Sequence, residues 1–229
     1  MWASAREVVR LFLPDRKELA ICGEDVPCVN DRRVGVSAAF FVEQEFQDTG
    51  SFVYRCYKAS HGRRPTYAEF TADRGNVIGG SGLEAAKQAF ITNWVQRPSF
   101  LQEYPPEMSN TIFVNKLFDT ANLLGYNAER DQQIRAMTDN GKTRAQVLRD
   151  TIEIQGFKDR EYNPAFVLMQ YFGYLKRNPD EGGYDFWLNV LNNEAPNNYR
   201  AMVCSFLTSA EYQDRFGSTR THSNAECGN

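Results

Sequence analysis

Apolar residues recur every three or four positions through most of the chain, whereas the strict alternation typical of a β-strand is scarce. The clearest helical segments read SFVYRCYKASHG, LEAAKQAFITNWVQ, IFVNKLFDTANLLG and AQVLRDTIEIQ. Glycine, proline and asparagine separate these segments, and such residues commonly end helices. The pattern therefore predicts an all-α protein, an irregular bundle of about 9–12 helices.

Capping signals indicate where several of these helices begin. A capping box places Ser or Thr just before the first turn and Glu or Gln three residues later, so that each side chain satisfies a free backbone N–H. Three segments fit this pattern: Thr66–Glu69, Ser81–Glu84 and Thr143–Gln146. Each is predicted to start a helix.

Other boundaries are predicted from glycine and from apolar spacing. Gly62 is expected to end the helix that contains SFVYRCYKASH, and Thr49-Gly50 is expected to end a helix that begins near Asp31. A looser helix is predicted over Ala3–Leu13.

The stretch from Asn163 to Gly217 recurs in degraded form earlier in the chain. FVYRCYKASHGRRP aligns with FVLMQYFGYLKRNP, and FFVEQEFQDTG aligns with FLTSAEYQDRFG. Such self-similarity is typical of repeated supersecondary units that bury their apolar faces against each other. We therefore predict repeated three-helix units: an incomplete first copy at 1–50, a second at 51–106, a divergent third at 107–162, the best-preserved copy at 163–217, and a flexible tail at 218–229.

The best-preserved copy follows the pattern FVxxxYxxxxxRxPDxxGxxFWxxxL and then a helix with SxEYxxRF. This pattern resembles the bacterial domain of unknown function family 4214 (DUF4214). The motif residues are Arg177, Pro179, Asp180, Gly183, Phe186, Trp187, Glu211 and Tyr212, with Arg63 and Pro65 in the second copy. The second copy departs from the pattern because it has Thr66 in place of the Asp and lacks the Phe-Trp pair.

The motif is expected to be architectural. Asp180 would accept from free N–H groups at the start of the next helix, and Phe186-Trp187 would insert between the first and third helices of the unit. Arg177 would lie over an aromatic face or pair with Glu181 or Asp185.

Members of this family are commonly large, exported or surface-associated proteins, so the resemblance implies a location outside the cytoplasm. No secretory signal is visible, because the N-terminal segment carries charge in every turn. Residues 1–17 also lack the front half expected of a repeat copy, so the N-terminus looks incomplete relative to the family.

Net charge and apolar runs exclude two classes of partner. The net charge is −3, with lysine and arginine spread along the chain, which argues against a general nucleic-acid binder. No apolar run reaches the about 18 residues that a membrane-spanning helix needs. We predict neither nucleic-acid binding nor membrane insertion.

The five cysteines leave at least one unpaired. Cys22 and Cys28 flank the short polar loop GEDVP, where a local disulfide, two free thiols or a metal site all remain open. Cys56 and Cys204 are expected to be small buried hydrophobes, and Cys227 to lie in a mobile tail.

No segment carries the signature of a catalytic, cofactor or metal site. NPDEGGYD is too short for a calcium-binding EF-hand loop, and GNVIGGSG lacks the Lys-Ser/Thr of a phosphate-binding loop. Cys56 and His61 are spaced so that they would not share a cleft. We therefore predict no catalytic residue, cofactor or metal, and do not expect an enzyme.

The leading hypothesis is a non-catalytic structural or interaction module of an exported bacterial protein, which mediates assembly or anchoring. Its partners would be other protein modules or cell-surface polymers. One alternative is a carbohydrate-binding or cell-wall-binding module, for which Tyr174, Tyr184 and Tyr199 are candidate exposed rings. A second alternative is a hydrolase with a cryptic site.

Overall fold

The computed structural model of the protein describes residues 17, 20–42, 44–217 and 219–227. These residues form α-helices, short π-helical and 3-10 turns, and connecting loops, with no β-strand among them. The predicted all-α class is confirmed. No helix in this part of the chain is long and apolar enough to cross a membrane. The helix predicted over Ala3–Leu13 lies outside the described residues.

The helices follow one another through short connections. In chain order they are α1 Val26–Val42, α2 Gln44–Asp48, α3 Gly50–His61, α4 Tyr67–Asp73, α5 Leu83–Trp94, α6 Pro98–Glu103, α7 Asn110–Thr120, α8 Asn127–Asn140, α9 Arg144–Glu153, α10 Gln155–Arg160, α11 Tyr162–Gln170, α12 Glu181–Asn189, α13 Tyr199–Leu207 and α14 Ala210–Gln213. Single π-helical turns follow α11 at Tyr171–Leu175 and α12 at Val190–Glu194, and 3-10 turns occupy Arg74–Asn76 and Asn224–Cys227.

The chain divides into two compact units. The central unit contains Gln44–Phe172 and Lys176–Asp180. The terminal unit contains, of the described residues, those before Gln44, Gly173–Leu175, and those from Glu181 onward.

Helix α3 is the core of the central unit. Phe52, Val53, Tyr54 and Cys56 on successive faces of this helix have no exposed surface. A helix that is apolar on every side must be buried on every side, and α3 accordingly contacts α2, α4, α6, α7, α9 and α11. The burial predicted for Cys56 is confirmed.

Two of the three predicted capping boxes are present. At Thr66 and at Thr143 the hydroxyl accepts a hydrogen bond from the backbone N–H three residues on. The Glu or Gln side chain at that position in turn accepts from the backbone N–H of the threonine. The prediction at Ser81–Glu84 is wrong, because α5 begins one residue later than the box requires. Its N-cap is Gly82, which has no side chain to accept a bond.

Two boundaries in the N-terminal third also differ from the predictions. Helix α1 begins at Val26 and not near Asp31. Gly50 does not cap a helix end but is the first residue of α3. A Cβ added at Gly50 would lie 2.6 Å from Cε2 of Phe46, so the glycine is needed for the close approach of this ring.

The core of the terminal unit is formed by one side of α13 and the residues that cover it. Met202 and Val203 have no exposed surface, and Phe206 is 4% exposed. Helix α1 and the 3-10 turn Asn224–Cys227 both pack against α13. Arg200 on α13 also forms an ion pair with Asp31 on α1.

Candidate functional site

Two arginines of the repeated motif occupy the same position over a tyrosine ring. The guanidinium of Arg63 lies 5.5 Å from the centre of the Tyr57 ring, and that of Arg177 lies 5.3 Å from the centre of the Tyr171 ring. In both cases the arginine follows the tyrosine by six residues. For Arg177, the sequence predicted either a position over an aromatic ring or a pair with Glu181 or Asp185, and the first of these is present.

The backbone before each arginine is also the same. Gly62 and Lys176 both adopt the left-handed conformation, with φ angles of 66° and 55°. Such a residue ends a helix and turns the chain back across it. The arginine is therefore directed over the last turns of the preceding helix, and Pro65 or Pro179 then leads into the next one. We refer to the segments 62–66 and 176–180 as the first and second Arg-x-Pro turns.

The two turns differ in how the arginine is paired with a carboxylate. Arg63 donates two hydrogen bonds to Glu69, of 2.9 and 2.6 Å, and Glu69 also accepts from the backbone N–H of Thr66. The Arg63 hydrogen bond, together with those from Thr66, lowers the pKa of Glu69 to about 2 although partial burial opposes the shift. In the second turn the corresponding pair, Arg177 with Asp180, is longer at 3.6 Å and more exposed.

The two turns lie in contact. The side-chain oxygen of Asn178, between the motif arginine and proline, accepts the backbone N–H of Tyr67 at 2.6 Å. Phe172 packs against Tyr67 and Phe70, with ring centres 5.5 and 5.4 Å away. Asn178 thus satisfies a free donor at the start of α4 across 111 residues of sequence. This role was not predicted from the sequence, where the amide of Asn178 between the motif arginine and proline is the only signal of it.

The Phe-Trp pair does not insert as a unit. Phe186 is 55% exposed, so the prediction that it packs between helices is wrong. Only Trp187 turns inward, with its ring centre 5.8 Å from that of Phe206. The two residues are adjacent on α12 and therefore point about 100° apart around the helix, so one of them faces solvent.

The other motif residues of the terminal unit lie close to this pair in sequence or along α14. Helix α12 begins at Glu181, directly after Asp180, and Gly183 lies half-buried in its first turn. Ser209 caps α14 by accepting the backbone N–H of Tyr212 at 3.2 Å, and Glu211 lies in that first turn.

Two of the three tyrosines expected on the surface are buried. Tyr174 and Tyr184 are 8% and 5% exposed, and only Tyr199 is partly accessible. The Tyr174 hydroxyl donates to Oγ of Ser37 at 2.9 Å, and burial raises the pKa of this tyrosine to about 12. These two rings are therefore core residues.

Two disulfides are present in the terminal unit. Cys22 and Cys28 are bonded, which settles the open alternatives for this pair. Cys204 is buried as predicted, but it forms a second disulfide with Cys227, 23 positions further along the chain, so the prediction of a mobile Cys227 is wrong. Cys56 is free and buried, and burial raises the pKa of its thiol.

The segment before Cys227 is also held by a single buried amide. Nε2 of Gln213 donates to the carbonyl oxygens of Thr208 and His222, at 2.7 and 2.9 Å. Its Oε1 accepts the backbone N–H groups of Thr221 and His222, both at 2.9 Å. This amide and the Cys204–Cys227 bond together fasten the segment to the end of α13.

A group of interacting titratable side chains lies at the end of α3. The Tyr57 hydroxyl donates to Asp73 at 2.7 Å, and Arg97 donates to both oxygens of the same carboxylate at 2.8 and 2.7 Å. Burial, and then the bond to Asp73, raises the pKa of Tyr57. The guanidinium of Arg97 also lies 4.3 Å from the centre of the Trp94 ring. This carboxylate accepts three hydrogen bonds, one from Tyr57 and two from the Arg97 guanidinium that lies over Trp94.

A histidine and a carboxylate lie next to this group. Nδ1 of His61 is 2.6 Å from Oε1 of Glu103. Cys56 on the same helix has no exposed surface, and burial raises the pKa of its thiol, which disfavours the thiolate that a nucleophilic pair needs. In the described part of the chain, no three His, Cys, Asp or Glu residues are grouped so as to hold a metal ion.

Two arginines are used to hold the backbone of the central unit. Arg55 is 2% exposed and donates to the carbonyl oxygen of Ile152 at 2.9 Å and to Ser51 at 3.0 Å. Its desolvation lowers the pKa of the guanidinium, while the ion pair with Glu153 opposes that shift. Arg144 donates to four backbone carbonyl oxygens, those of Tyr104, Pro105, Pro106 and Met108.

An open groove of about 610 Å³ runs between α5 and the start of α9 in the central unit. Its walls combine amide and hydroxyl side chains with aliphatic ones. The lining residues are Gln88, Thr92, Val95, Gln96, Leu101, Pro106, Thr143, Arg144, Ala145 and Gln146. We refer to it as the α5–α9 groove.

These features define a helical module in which an arginine–tyrosine turn recurs. Residues 155–216 match the model of the family described as domain of unknown function (DUF4214). The match covers the second Arg-x-Pro turn, the Phe-Trp pair and α14. No curated protein and no solved structure matches the chain. The division of the whole chain into four copies stays a prediction.

Proposed function

We propose that the protein is a non-catalytic structural or interaction module of a bacterial protein that works outside the cytoplasm. The observation that carries this proposal is that the buried charged side chains form ion pairs within the protein. Of the described residues, the buried charged side chains are Arg55, Asp73, Lys87 and Glu161, and each is paired with an opposite charge. A catalytic acid or base needs a proton position that substrate can reach, whereas these groups fasten helices together.

The proposed location is supported by the two disulfides. Disulfides persist in oxidising compartments and are rare in the cytosol. Cys22–Cys28 and Cys204–Cys227 both lie in the terminal unit, where each closes a local segment. The resemblance of this chain to the DUF4214 family, whose members are commonly exported or surface-associated, supports the same proposed location.

The proposed contact surface for protein partners includes the exposed aromatic residues of the terminal unit. Phe186 is 55% and Phe216 is 76% exposed. Each contacts a less exposed ring behind it, Phe186 that of Trp187 at 5.2 Å and Phe216 that of Tyr212 at 5.1 Å. Aromatic side chains held in this way lose little conformational entropy on binding and are enriched in protein interfaces.

The proposal is tested by isolating the protein with its bound partners from the envelope of the cells that produce it. We expect a defined set of co-isolated proteins with the unaltered chain. Phe186→Ser and Phe216→Ser should remove that set, because they take away the proposed contact rings. Ile112→Ser is the matched control, since Ile112 is 57% exposed but lies in the central unit.

The opposing result is turnover of a substrate. Activity in a panel of hydrolase substrates that Asp73→Asn or Glu103→Gln abolishes, with the helical circular dichroism spectrum intact, would replace the proposal with the hydrolase alternative. If both phenylalanine variants retain every partner, the partners bind at a surface other than the one that contains Phe186 and Phe216.

A further inference from the structure

We propose that the α5–α9 groove binds an uncharged polysaccharide strand. The proposal rests on the interaction role proposed above but uses a different surface. The groove lies within the central unit, whereas Phe186 and Phe216 belong to the terminal unit.

The volume and openness of the groove suit a chain-like ligand. Ligand sites commonly have volumes of about 300–1,000 Å³, and the groove, at about 610 Å³, is within this range. It is bounded by side chains of α5, of the loop and helix that follow, and of the first turn of α9. A ligand can therefore lie along the surface between two helices and extend beyond both ends.

The electrostatic character of the lining favours a neutral ligand. Arg144 is the one charged residue among the lining side chains. Its guanidinium already donates to the carbonyl oxygens of Tyr104, Pro105, Pro106 and Met108, so it holds the loop under the groove. An anionic ligand would find no free cationic partner in the lining and would lose its hydration on entry.

The remaining lining side chains match the two faces of a sugar ring. Val95, Leu101 and Pro106 supply aliphatic surface for the C–H face of a pyranose. Gln88 and Gln96, both exposed, supply amides that can donate to and accept from hydroxyl groups. The combination of apolar surface with a few placed polar groups is the usual composition of a ligand site.

A peptide ligand is less favoured by the same surroundings. An extended peptide gains affinity by pairing with the free edge of a sheet, and the described residues form no strand. An amphipathic helix needs a continuous hydrophobic groove. Here Gln88, Thr92, Gln96 and Gln146 interrupt the aliphatic surface.

Binding is tested with the full chain by isothermal titration against uncharged cello-, laminari- and chito-oligosaccharides. An acidic galacturonate oligomer and an unstructured peptide serve as comparison ligands. We expect at least one uncharged series to bind, and longer members to bind more tightly than shorter ones. Binding of only the acidic oligomer or only the peptide, or no binding of any uncharged series, would overturn the proposal.

The site itself is tested by filling the groove. Thr92 lines it, whereas Asn93, the next residue on α5, is exposed but does not. Thr92→Trp should weaken binding by at least about tenfold, and Asn93→Trp should change it by less than about twofold. Equal effects of the two variants, with both folded by circular dichroism, would show that the sugar binds elsewhere. Loss of sugar binding by Thr92→Trp with unchanged protein partners would separate this site from the proposed protein-contact surface.

Discussion

The guanidinium of Arg177 lies 5.3 Å from the centre of the Tyr171 ring. The residue directly before the arginine, Lys176, has a left-handed backbone conformation. Arg63 and Tyr57 repeat this relationship around Gly62. A lysine at a positive φ angle is strained where a glycine is not. The stacked arginine is therefore one of the contacts that hold the second turn in shape.

Replacing Arg63 or Arg177 by alanine should destabilise the central unit, and the loss should be larger for Arg63. Arg63→Ala loses a ring contact worth about 0.5–1 kcal/mol and a bidentate ion pair worth about 0.2–1 kcal/mol, whereas Arg177→Ala loses the ring contact and a longer pair. We expect about 1–2 kcal/mol for Arg63→Ala and about 0.5–1 kcal/mol for Arg177→Ala in urea unfolding. Arg135→Ala, on an exposed face of α8, is the control. An equal loss for all three would contradict this account.

Lys176→Gly tests the strain directly. Glycine adopts the left-handed conformation without a steric penalty, so the substitution should stabilise the central unit by up to about 1 kcal/mol. Glycine at an unstrained, exposed helical position, Arg135→Gly on α8, should destabilise it by about 1 kcal/mol. Urea unfolding monitored by circular dichroism measures both. A loss of stability in Lys176→Gly would show that the lysine side chain contributes more than its backbone costs.

Asn178→Ala should destabilise the first turn of α4. The amide oxygen accepts the Tyr67 N–H, and the loss of such a cap costs about 1 kcal/mol. Hydrogen exchange of the Tyr67 amide should accelerate accordingly. Asn178→Asp keeps an acceptor oxygen at the same place and should leave exchange nearly unchanged. Fast exchange in both variants would mean that the shape of the asparagine, rather than its acceptor, is what matters.

The stability contributed by Glu69 should depend on pH. Its pKa is lowered from the usual 4.5 to about 2 in the folded protein, so the folded state favours the ionised carboxylate. The contribution is complete above about pH 5 and is lost as pH falls through 4.5 towards 2. Glu69→Gln should therefore be less stable than the unaltered protein at pH 7, and the difference should shrink between pH 5 and pH 2. A difference that is constant with pH would refute the linkage.

The Asp73–Arg97 pair should show strong coupling. Arg97→Ala leaves a buried carboxylate with only the Tyr57 hydroxyl as a partner, and breaking a buried pair in this way costs about 3 kcal/mol. Adding Asp73→Asn removes the uncompensated charge and should recover part of that loss. A double-mutant cycle in urea measures the coupling. Additive effects of the two substitutions would show that the pair is not an energetic unit.

Reducing agents should act on the terminal unit alone. Chain-entropy arguments give about 3 kcal/mol for the bond between Cys204 and Cys227, which are 23 positions apart. Cys227→Ser should therefore raise hydrogen exchange in α13, and dithiothreitol should have the same effect on the unaltered protein. Amides of α3 in the central unit serve as the internal control, because Cys56 there is free. Loss of protection in α3 as well would contradict this separation. Gln213→Ala should add to the effect by removing four hydrogen bonds.

The sequence by itself determined the helical class and the helix boundaries at Gly62, Thr66 and Thr143. Apolar spacing follows directly from the 3.6-residue period, and capping at Thr66 and Thr143 depends only on residues three apart. The alignment of Arg63 with Arg177 likewise indicated that the two turns are alike, because a local turn is specified by its own residues. The Cys22–Cys28 bond was among the alternatives for the same reason, since the two cysteines are only six positions apart.

Tertiary structure alone decided which distant groups meet. Asn178 reaches Tyr67, Gln213 holds Thr221 and His222, and Cys204 finds Cys227 only because helices bring them together. The exposure of Phe186 and the burial of Tyr174 were also decided at this level. Helical periodicity relates side chains to their own helix axis, but it does not say which face a neighbouring helix will cover.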